Sequence, residues 1–345
     1  MVQKGASDLH LIAGAAPTLR IDGTMVPLTQ EKLTAEMTQT LIYSMLTEVQ
    51  RKTFESNKEL DLAFQAVEVG RVRGNIFRQK GSVAAAFRII PDKFQNFEEL
   101  GLPEVVNKLI KIPKGLILVT GQTGSGKSTT MAAMLNHINE NRACHIITVE
   151  DPIEFVHTHK QAIIEQREVG SDTHSFANAL KYVLRQDPDV ILIGEMRDFE
   201  TVQAAMTLAE TGHLVLATLH TNDCATSINR IIDVFPSHQQ SQARAQLSFV
   251  LQAVLSQVLL PKVNQRGRVL ACEVLVATSA VRNLIREGKT EQMYMSLQTG
   301  SKEGMQSMNQ AFVQLIQKNI IEQSEAFSQS TNPIELEKLL NSQKF

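Results

Sequence analysis

Residues 115–135 read GLILVTGQTGSGKSTTMAAML, with Gly121, Gly126, Lys127 and Ser128 filling the order G-x-x-x-x-G-K-[ST]. That spacing serves one chemistry, the cradling of a polyphosphate. Glycines let backbone N–H groups curl around the phosphates, and a following helix N-terminus adds its positive dipole end. Lys127 is of a type and at a position to reach the β- and γ-phosphates, and the Ser128 hydroxyl to bind Mg²⁺. The predicted nucleotide-holding set is Gly121, Thr123, Gly124, Ser125, Gly126, Lys127, Ser128 and Thr129, with ATP and Mg²⁺ as cofactors. A chance glycine-rich turn would lack the flanks seen here. Leu116-Ile117-Leu118-Val119 is a short apolar run suited to a buried strand, and Met131–Leu135 favours a helix.

Hydrolysis of a γ-phosphate also needs a carboxylate near Mg²⁺ and a group to orient or deprotonate water. Three strand ends offer candidates. Ile146–Val149 runs into Glu150-Asp151-Pro152-Ile153-Glu154, and Asp189–Ile193 runs into Gly194-Glu195-Met196-Arg197-Asp198. Glu195 takes the place of a Walker B acid, although Gly194 stands where many P-loop enzymes carry aspartate. A carboxylate ending a buried strand is costly without a partner, which favours a functional Glu195; Asp198 reads as the N-cap of the next helix. The third candidate strand, Leu214–Leu219, lies between His213 and His220, and a neutral imidazole can bond a γ-phosphate or the attacking water. His157 and His159 share a strand face by spacing, but with no third metal ligand they read as part of a solvated loop.

The elements that would position these groups suggest two α/β domains. Residues 1–90 read as a separate domain: strands at 9–12 and 18–21, a turn at Asp22-Gly23, two helices, then three strand-like runs at 60–67, 71–79 and 82–90. Thr47 with Gln50 forms a capping box for the second helix. On the middle run, Arg71, Arg73, Asn75, Phe77 and Gln79 share one face, which by pattern alone is that of a solvated edge strand. Pro91 stops the last run, and 91–114 reads as a linker with a short helix at 102–112. From 115 to about 277, strands alternate with helices, implying a mainly parallel sheet covered on both faces, with ligands at its C-terminal edge. A long helix is expected over 239–260, then a strand at 269–276. Residues 278–345 read as a helical region, ending in a poorly ordered tail with a short helix near 334–340.

Composition narrows the function classes. Lys and Arg total 34 against 36 Asp and Glu, a net charge of −2 that gives no global attraction to nucleic acid. No apolar run approaches the ~18 residues of a membrane span, and no charged segment followed by an apolar stretch opens the sequence. Cys144, Cys224 and Cys272 are widely spaced and form no C-x-x-C pair, which predicts a reducing, cytoplasmic setting without a cysteine zinc site.

The P-loop, EDPIEF (150–155), GEMRD (194–198) and AETGHLVLATLHT (209–221) together resemble the Walker A, Asp box, Walker B and His box of the bacterial secretion ATPase superfamily. QREVG (166–170), RIIDVFP (230–236) and SAVRNLIREGK (279–289) are similar to its type IV pilus retraction branch, the PilT type. The last matches an A-I-R-N-L-I-R-E signature with Val281 for isoleucine. This resemblance implies a homohexameric ring, each subunit having a PAS-like N-terminal domain and a RecA-like ATPase domain with ATP bound between them. It further implies Glu154 as the water-activating glutamate, Glu195 as the Walker B acid and Mg²⁺ ligand, and Arg71, Arg73 and Arg88 on the phosphates. For two of those arginines that overrides the solvated-edge reading. The implied partners are an inner-membrane platform protein and the pilus machinery, met at the cytoplasmic face of the membrane without direct nucleic-acid contact. Two departures are Gln122 for the usual proline and a start close to the first strand, without the short leading helix of that group. Rival readings are an extension or type II secretion ATPase, which typically carries a tetracysteine module, an accessory retraction paralogue, a nucleic-acid translocase and a non-catalytic scaffold.

Overall fold

Apolar alternation in the first ninety residues closes an antiparallel sheet. A computed structural model describes residues 1–342 except 22, 67–68, 91–92 and 264–266. Asp22 of the expected turn, the Val67 strand end, the Pro91 stop and the last three residues lie outside the described residues. Chain contacts divide the protein into two units, Met1–Lys93 with Glu154–Val156, and Phe94–Ile153 with His157 onward.

The first unit contains β1 (Asp8–Leu11), β2 (Thr18–Ile21), β3 (Thr24–Pro27), α1 (Ala35–Tyr43), α2 (Glu48–Asn57), β4 (Glu59–Ala66), β5 (Gly70–Gln79) and β6 (Ser82–Ile89). The sheet order is β3-β2-β1-β6-β5-β4, antiparallel throughout. Strand β3 was not foreseen. The Thr47–Gln50 capping box forms as read, with Thr47 Oγ1 accepting from Gln50 N and Gln50 Oε1 accepting from Thr47 N. Ile42 of α1 and Phe54 of α2 bury against Leu62, Val72, Ile76 and Phe87 of the sheet. Val72 and Ile76 therefore face the core, and Arg71 and Arg73 the other side. Since β4 lies outside it, β5 is an interior strand and not the solvated edge that its polar face suggests.

The second unit contains α3 (Phe97–Leu100), α4 (Val106–Leu109), β7 (Gly115–Thr120), α5 (Lys127–Asn141), β8 (His145–Glu150), β9 (Ile163–Glu168), α6 (Phe176–Val183), β10 (Val190–Ile193), α7 (Phe199–Glu210), β11 (Leu214–Leu219) and α8 (Cys224–Asp233). It continues with α9 (Gln240–Val250), β12 (Leu251–Pro261), β13 (Arg268–Val276), α10 (Ser279–Glu287), α11 (Met293–Thr299), α12 (Met308–Gln317), α13 (Gln323–Gln329) and α14 (Pro333–Ser342). The sheet order is β13-β12-β7-β11-β10-β8-β9, parallel except for the β12–β13 pair. Strand β7 is buried on both faces: Leu116 and Leu118 pack into one core layer, Ile117 and Val119 into the other.

Three expectations change here. The helix expected over 239–260 ends at Val250, and Leu251–Pro261 pairs as a strand between β7 and β13. A run buried on both faces, such as Leu251, Ala253, Val254 and Leu255, has no period that separates strand from helix. Second, Phe97, Leu102, Val106, Leu109 and Ile110, from the stretch read as a linker, bury beside Met131, Met134 and Leu135 of α5 in the second unit. The helix read at 102–112 shortens to α4. Third, the tail read as poorly ordered apart from a short helix near 334–340 also folds as α13, while that helix forms as α14, because Ala326 and Leu336 bury against Phe312 and Ile321. Asn309 Nδ2 ties it down by donating to Asn332 O and Glu335 Oε2. Among the described residues, no helix is long and apolar enough to cross a membrane.

Candidate nucleotide site

Strand β7 delivers the chain into the phosphate-binding loop, and α5 takes it out. Gly121 has φ +142°, and a Cβ there would stand 2.5 Å from both Gln257 O and Ser125 Oγ, so a side chain fits neither the backbone nor the space. Gly126 caps α5 at φ +91°, and among the described residues no side chain hydrogen-bonds to that cap. A helix N-terminus of this kind aims its first-turn amides and its positive dipole end at an anion. Lys127 is buried, and its Nζ donates to Gly121 O at 2.8 Å and Gln122 O at 3.0 Å. The loop holds the ammonium on its own carbonyls, from which it can pass to phosphate oxygens.

Two strands brace this loop that the sequence reading did not assign to it. Gln257 of β12 is buried and donates from Nε2 to Thr130 Oγ1 at 2.7 Å, gripping the first turn of α5. Arg268 of β13 donates from Nη1 to Gly124 O at 3.3 Å. With 239–260 read as helix, the Gln257 contact had no sequence signal, and Arg268 borders the strand expected at 269–276 without a pattern naming its partner.

The parallel strands β7, β11, β10 and β8 are neighbours and end on one edge, the loop's, where Glu150 closes β8 and Glu195 follows β10. Glu195 follows β10 by two residues, with Arg197 Nη2 at 2.7 Å and His220 Nε2 at 3.4 Å. Burial pushes the Glu195 pKa up. The Arg197 hydrogen bond and the charges of His220, Arg197 and Lys127 outweigh it and hold the carboxyl below its ordinary value. An ionised carboxylate within the field of Lys127, together with the Ser128 hydroxyl, suits Mg²⁺, which takes one or two protein oxygens and fills its octahedron with phosphate oxygens and water.

Gly194 has a steric reason. Its N–H donates to Val149 O at 2.8 Å, and a Cβ would lie 3.2 Å from Glu150 Cα and Val149 O. The end of β8 occupies the volume that an aspartate side chain would need. Thr218 Oγ1 donates to Gly194 O, fixing β11 to the same turn. Ser227 Oγ lies 2.6 Å from Thr221 Oγ1 and 3.3 Å from Thr120 Oγ1, a buried hydroxyl chain joining the ends of β7 and β11. Thr120 and Thr218 are polar residues near the ends of apolar strands, the pattern that points to ligands at this edge, though their bonds to Ser227 and Gly194 carry no sequence signal.

Other candidates fall elsewhere. His213 precedes β11, whose first residue pairs with Gly115, so it sits at the edge of the sheet opposite the loop. Its Nδ1 lies 2.9 Å from Leu208 O and 3.2 Å from Thr211 Oγ1, closing the turn after α7. Asp198 caps α7 as read, accepting from Thr201 N at 2.8 Å. His157 is not in a solvated loop: it is buried, stacks on Phe94 at 4.4 Å and 17°, and has its pKa lowered to about 4 by burial and then by the Lys160 charge. His159 Nδ1 accepts from Ile164 N at 3.1 Å, and among the described residues no cluster of His, Cys, Asp and Glu could hold a metal ion. Glu154 is exposed and groups with the first unit.

In the first unit, Arg73 of β5 stands directly opposite Arg88 of β6, with Arg71 two residues along the Arg73 face. Such a cluster of guanidiniums is unfavourable unless it meets negative charge. Two carboxylates already attend it: Arg88 Nε lies 2.7 Å from Asp8 Oδ1, and Arg73 Nη2 4.0 Å from Asp61 Oδ1. Burial pushes the Asp8 pKa up, but bonds from Ser7 and Arg88 and the charges of Arg88 and His10 hold it below its ordinary value.

The signature helix α10 buries Val281 and Ile285, and Arg282 reaches back to the end of α9. Its Nη1 donates to Ser248 O at 2.5 Å and Phe249 O at 2.8 Å, and its Nη2 to Gln252 Oε1 at 3.2 Å. Gln252 Nε2 in turn donates to Lys114 O at 3.4 Å, at the foot of β7.

Residues 1–328 match the family model for type II/IV secretion system proteins. The chain belongs to that family. With the phosphate-binding loop complete, it is a P-loop ATPase of the secretion type. The type IV pilus retraction ATPase PilT of Pseudomonas aeruginosa is 47% identical over 331 residues, 96% of each chain. The type IV pilus ATPase PilU of the same organism is 41% identical, covering 97% of this chain and 88% of PilU. A crystal structure of the pilus retraction motor PilT with bound ADP superposes with a TM-score of 0.92 at 51% identity, covering 98% of this chain and 96% of that one. The PilT-type resemblance and the two-unit α/β fold of this secretion ATPase family therefore hold over nearly the whole length.

Proposed function

We propose that this protein is the ATP-driven motor of type IV pilus retraction, working as a homohexamer against the cytoplasmic face of the inner membrane through a platform protein. The observation that carries the reading is a complete phosphate-binding edge within a chain alike, end to end, to a retraction ATPase. ATP binds with its phosphates in the 121–129 loop, Lys127 bonds the β- and γ-oxygens, and Ser128 and Glu195 hold Mg²⁺, which offsets phosphate charge. Glu154 takes the proton of the attacking water, and His220 bonds the γ-phosphate or that water. Arg71, Arg73 and Arg88 neutralise charge on the phosphates, and closure of the N-terminal unit is the power stroke.

Likeness to PilU favours one second reading, an accessory retraction ATPase that needs a partner ring. One experiment separates them: this chain alone is supplied to a cell deprived of its own retraction motors. Retraction restored supports the autonomous motor. Retraction that needs an added partner ATPase supports the accessory reading, and ATPase activity without either overturns both.

A further inference from the structure

The stretch 151–156 connects β8 to a loop that leads into β9, and it carries Glu154. Both flanks of this stretch are held by side chains of β9. Ile153 N donates to Glu168 Oε2 at 3.1 Å, and His157 N donates to Gln166 Oε1 at 2.8 Å. Gln166 Nε2 donates to Glu150 Oε1 at 3.1 Å, and Glu150 Oε1 also accepts from Thr148 Oγ1 at 2.6 Å. One carboxamide thereby joins the entry of the stretch to its exit. Its orientation is forced, because the His157 amide is a donor and the Glu150 carboxylate an acceptor. Residues 166 and 168 stand on one face of β9 by the period of two, while Arg167 turns away to donate to Asp172 O at 3.2 Å. On the exit side, the His157 ring is locked against Phe94.

We propose that Gln166 and Glu168 are positioning residues for the Glu154 segment, forming a strap that fixes where its carboxylate is presented. This gives the QREVG stretch a physical task, and it rests on the reading of Glu154 as the group that activates water. A base displaced by about 1 Å can lose on the order of 10² in rate while substrate binding is untouched. Gln166→Ala is therefore expected to lower single-turnover hydrolysis about 10- to 100-fold, with ATP affinity held within about twofold. Gln166→Glu should be as slow, since it sets a carboxylate against Glu150. Adding Glu150→Gln to Gln166→Glu restores a donor opposite an acceptor and leaves an oxygen for His157 N, so the double variant should recover most of the rate.

The test measures single-turnover hydrolysis, ATP affinity and amide hydrogen exchange over 151–157 in the assembled full-length protein, for these variants and for Glu154→Gln. Faster exchange and slower hydrolysis in Gln166→Ala, with affinity kept and rescue in the double variant, support the strap. Unchanged exchange overturns it, as does faster exchange with unchanged hydrolysis, a parallel loss of affinity, or a double variant no faster than Gln166→Glu. Normal turnover in Glu154→Gln would instead sink the base assignment, and exchange with rescue would still decide the strap.

Discussion

The phosphate-binding edge of the parallel sheet and the arginine face of the antiparallel sheet handle charge in opposite ways. At the first, Lys127 is buried and held by the carbonyls of its own loop, and Glu195 is held within its own strand turn and the next strand end. At the second, the Arg88 guanidinium is largely exposed and is held by a carboxylate eighty residues away in sequence. The lysine in its loop and the Arg197–Glu195 pair join neighbours along the chain and are preset by local geometry. A site assembled across strands depends on register, and its charges must be neutralised by whatever the register brings alongside.

That contrast can be broken at its strongest point first. Lys127→Ala should lower hydrolysis by about 10³ or more and weaken nucleotide binding, because it removes a preset donor to the phosphates. Glu195→Gln should lose turnover yet retain nucleotide, since its charge acts mainly on metal in the transition state. Equal loss of nucleotide binding in both, measured with a fluorescent ATP analogue, would make Glu195 a structural group.

Next comes the register-built site. Arg88→Ala should lower turnover by roughly 10³ if the guanidinium acts on the transferring phosphoryl group, in a protein that still assembles. Asp8→Asn releases the same arginine without removing it and should keep turnover within a few-fold. Severe loss in Asp8→Asn and little loss in Arg88→Ala would reverse the assignment and leave the pair structural.

A smaller effect concerns output and not cleavage. Arg282→Ala removes the bonds from α10 to the end of α9 and to Gln252. ATPase activity should survive within about threefold, the scale of losing hydrogen bonds remote from the phosphates, while pilus retraction stops. A parallel fall of both in a stable variant would end the coupling idea.

The smallest expected effect is on stability. The unfolded chain takes up a proton near pH 6.5 that buried His157 refuses until about pH 4. Stability is therefore full above pH 6.5 and is lost as pH falls towards 4, by roughly 1–3 kcal/mol. His157→Phe keeps an aromatic ring against Phe94 and cannot protonate, so melting temperature against pH should flatten on the acid side. An unchanged acid slope would place the sensitivity elsewhere.

What the sequence determined by itself is what lies close along the chain. The 121–128 spacing, the apolar strand before it, the helix after it, the Thr47–Gln50 capping box and the Asp198 cap all follow from residues a few positions apart, whose geometry the backbone dictates. The shared face of Arg71 and Arg73 was equally legible, because a strand has a period of two whichever neighbours it pairs with. Only tertiary structure could decide the rest. Leu251–Pro261 became a strand because β7 and β13 offered it backbone partners on both sides, and α13 formed ahead of the expected last helix because Phe312 and Ile321 offered Ala326 something to bury. Pairing β11 with β7 put His213 on the far edge while placing His220 beside Glu195. The Asp8 partner of Arg88, the Gln257 brace, the need for Gly194 and the Gln166 link each join residues far apart in sequence or at separate strand ends. Such contacts have no period for a sequence to display, and they exist only once the sheets have chosen their order.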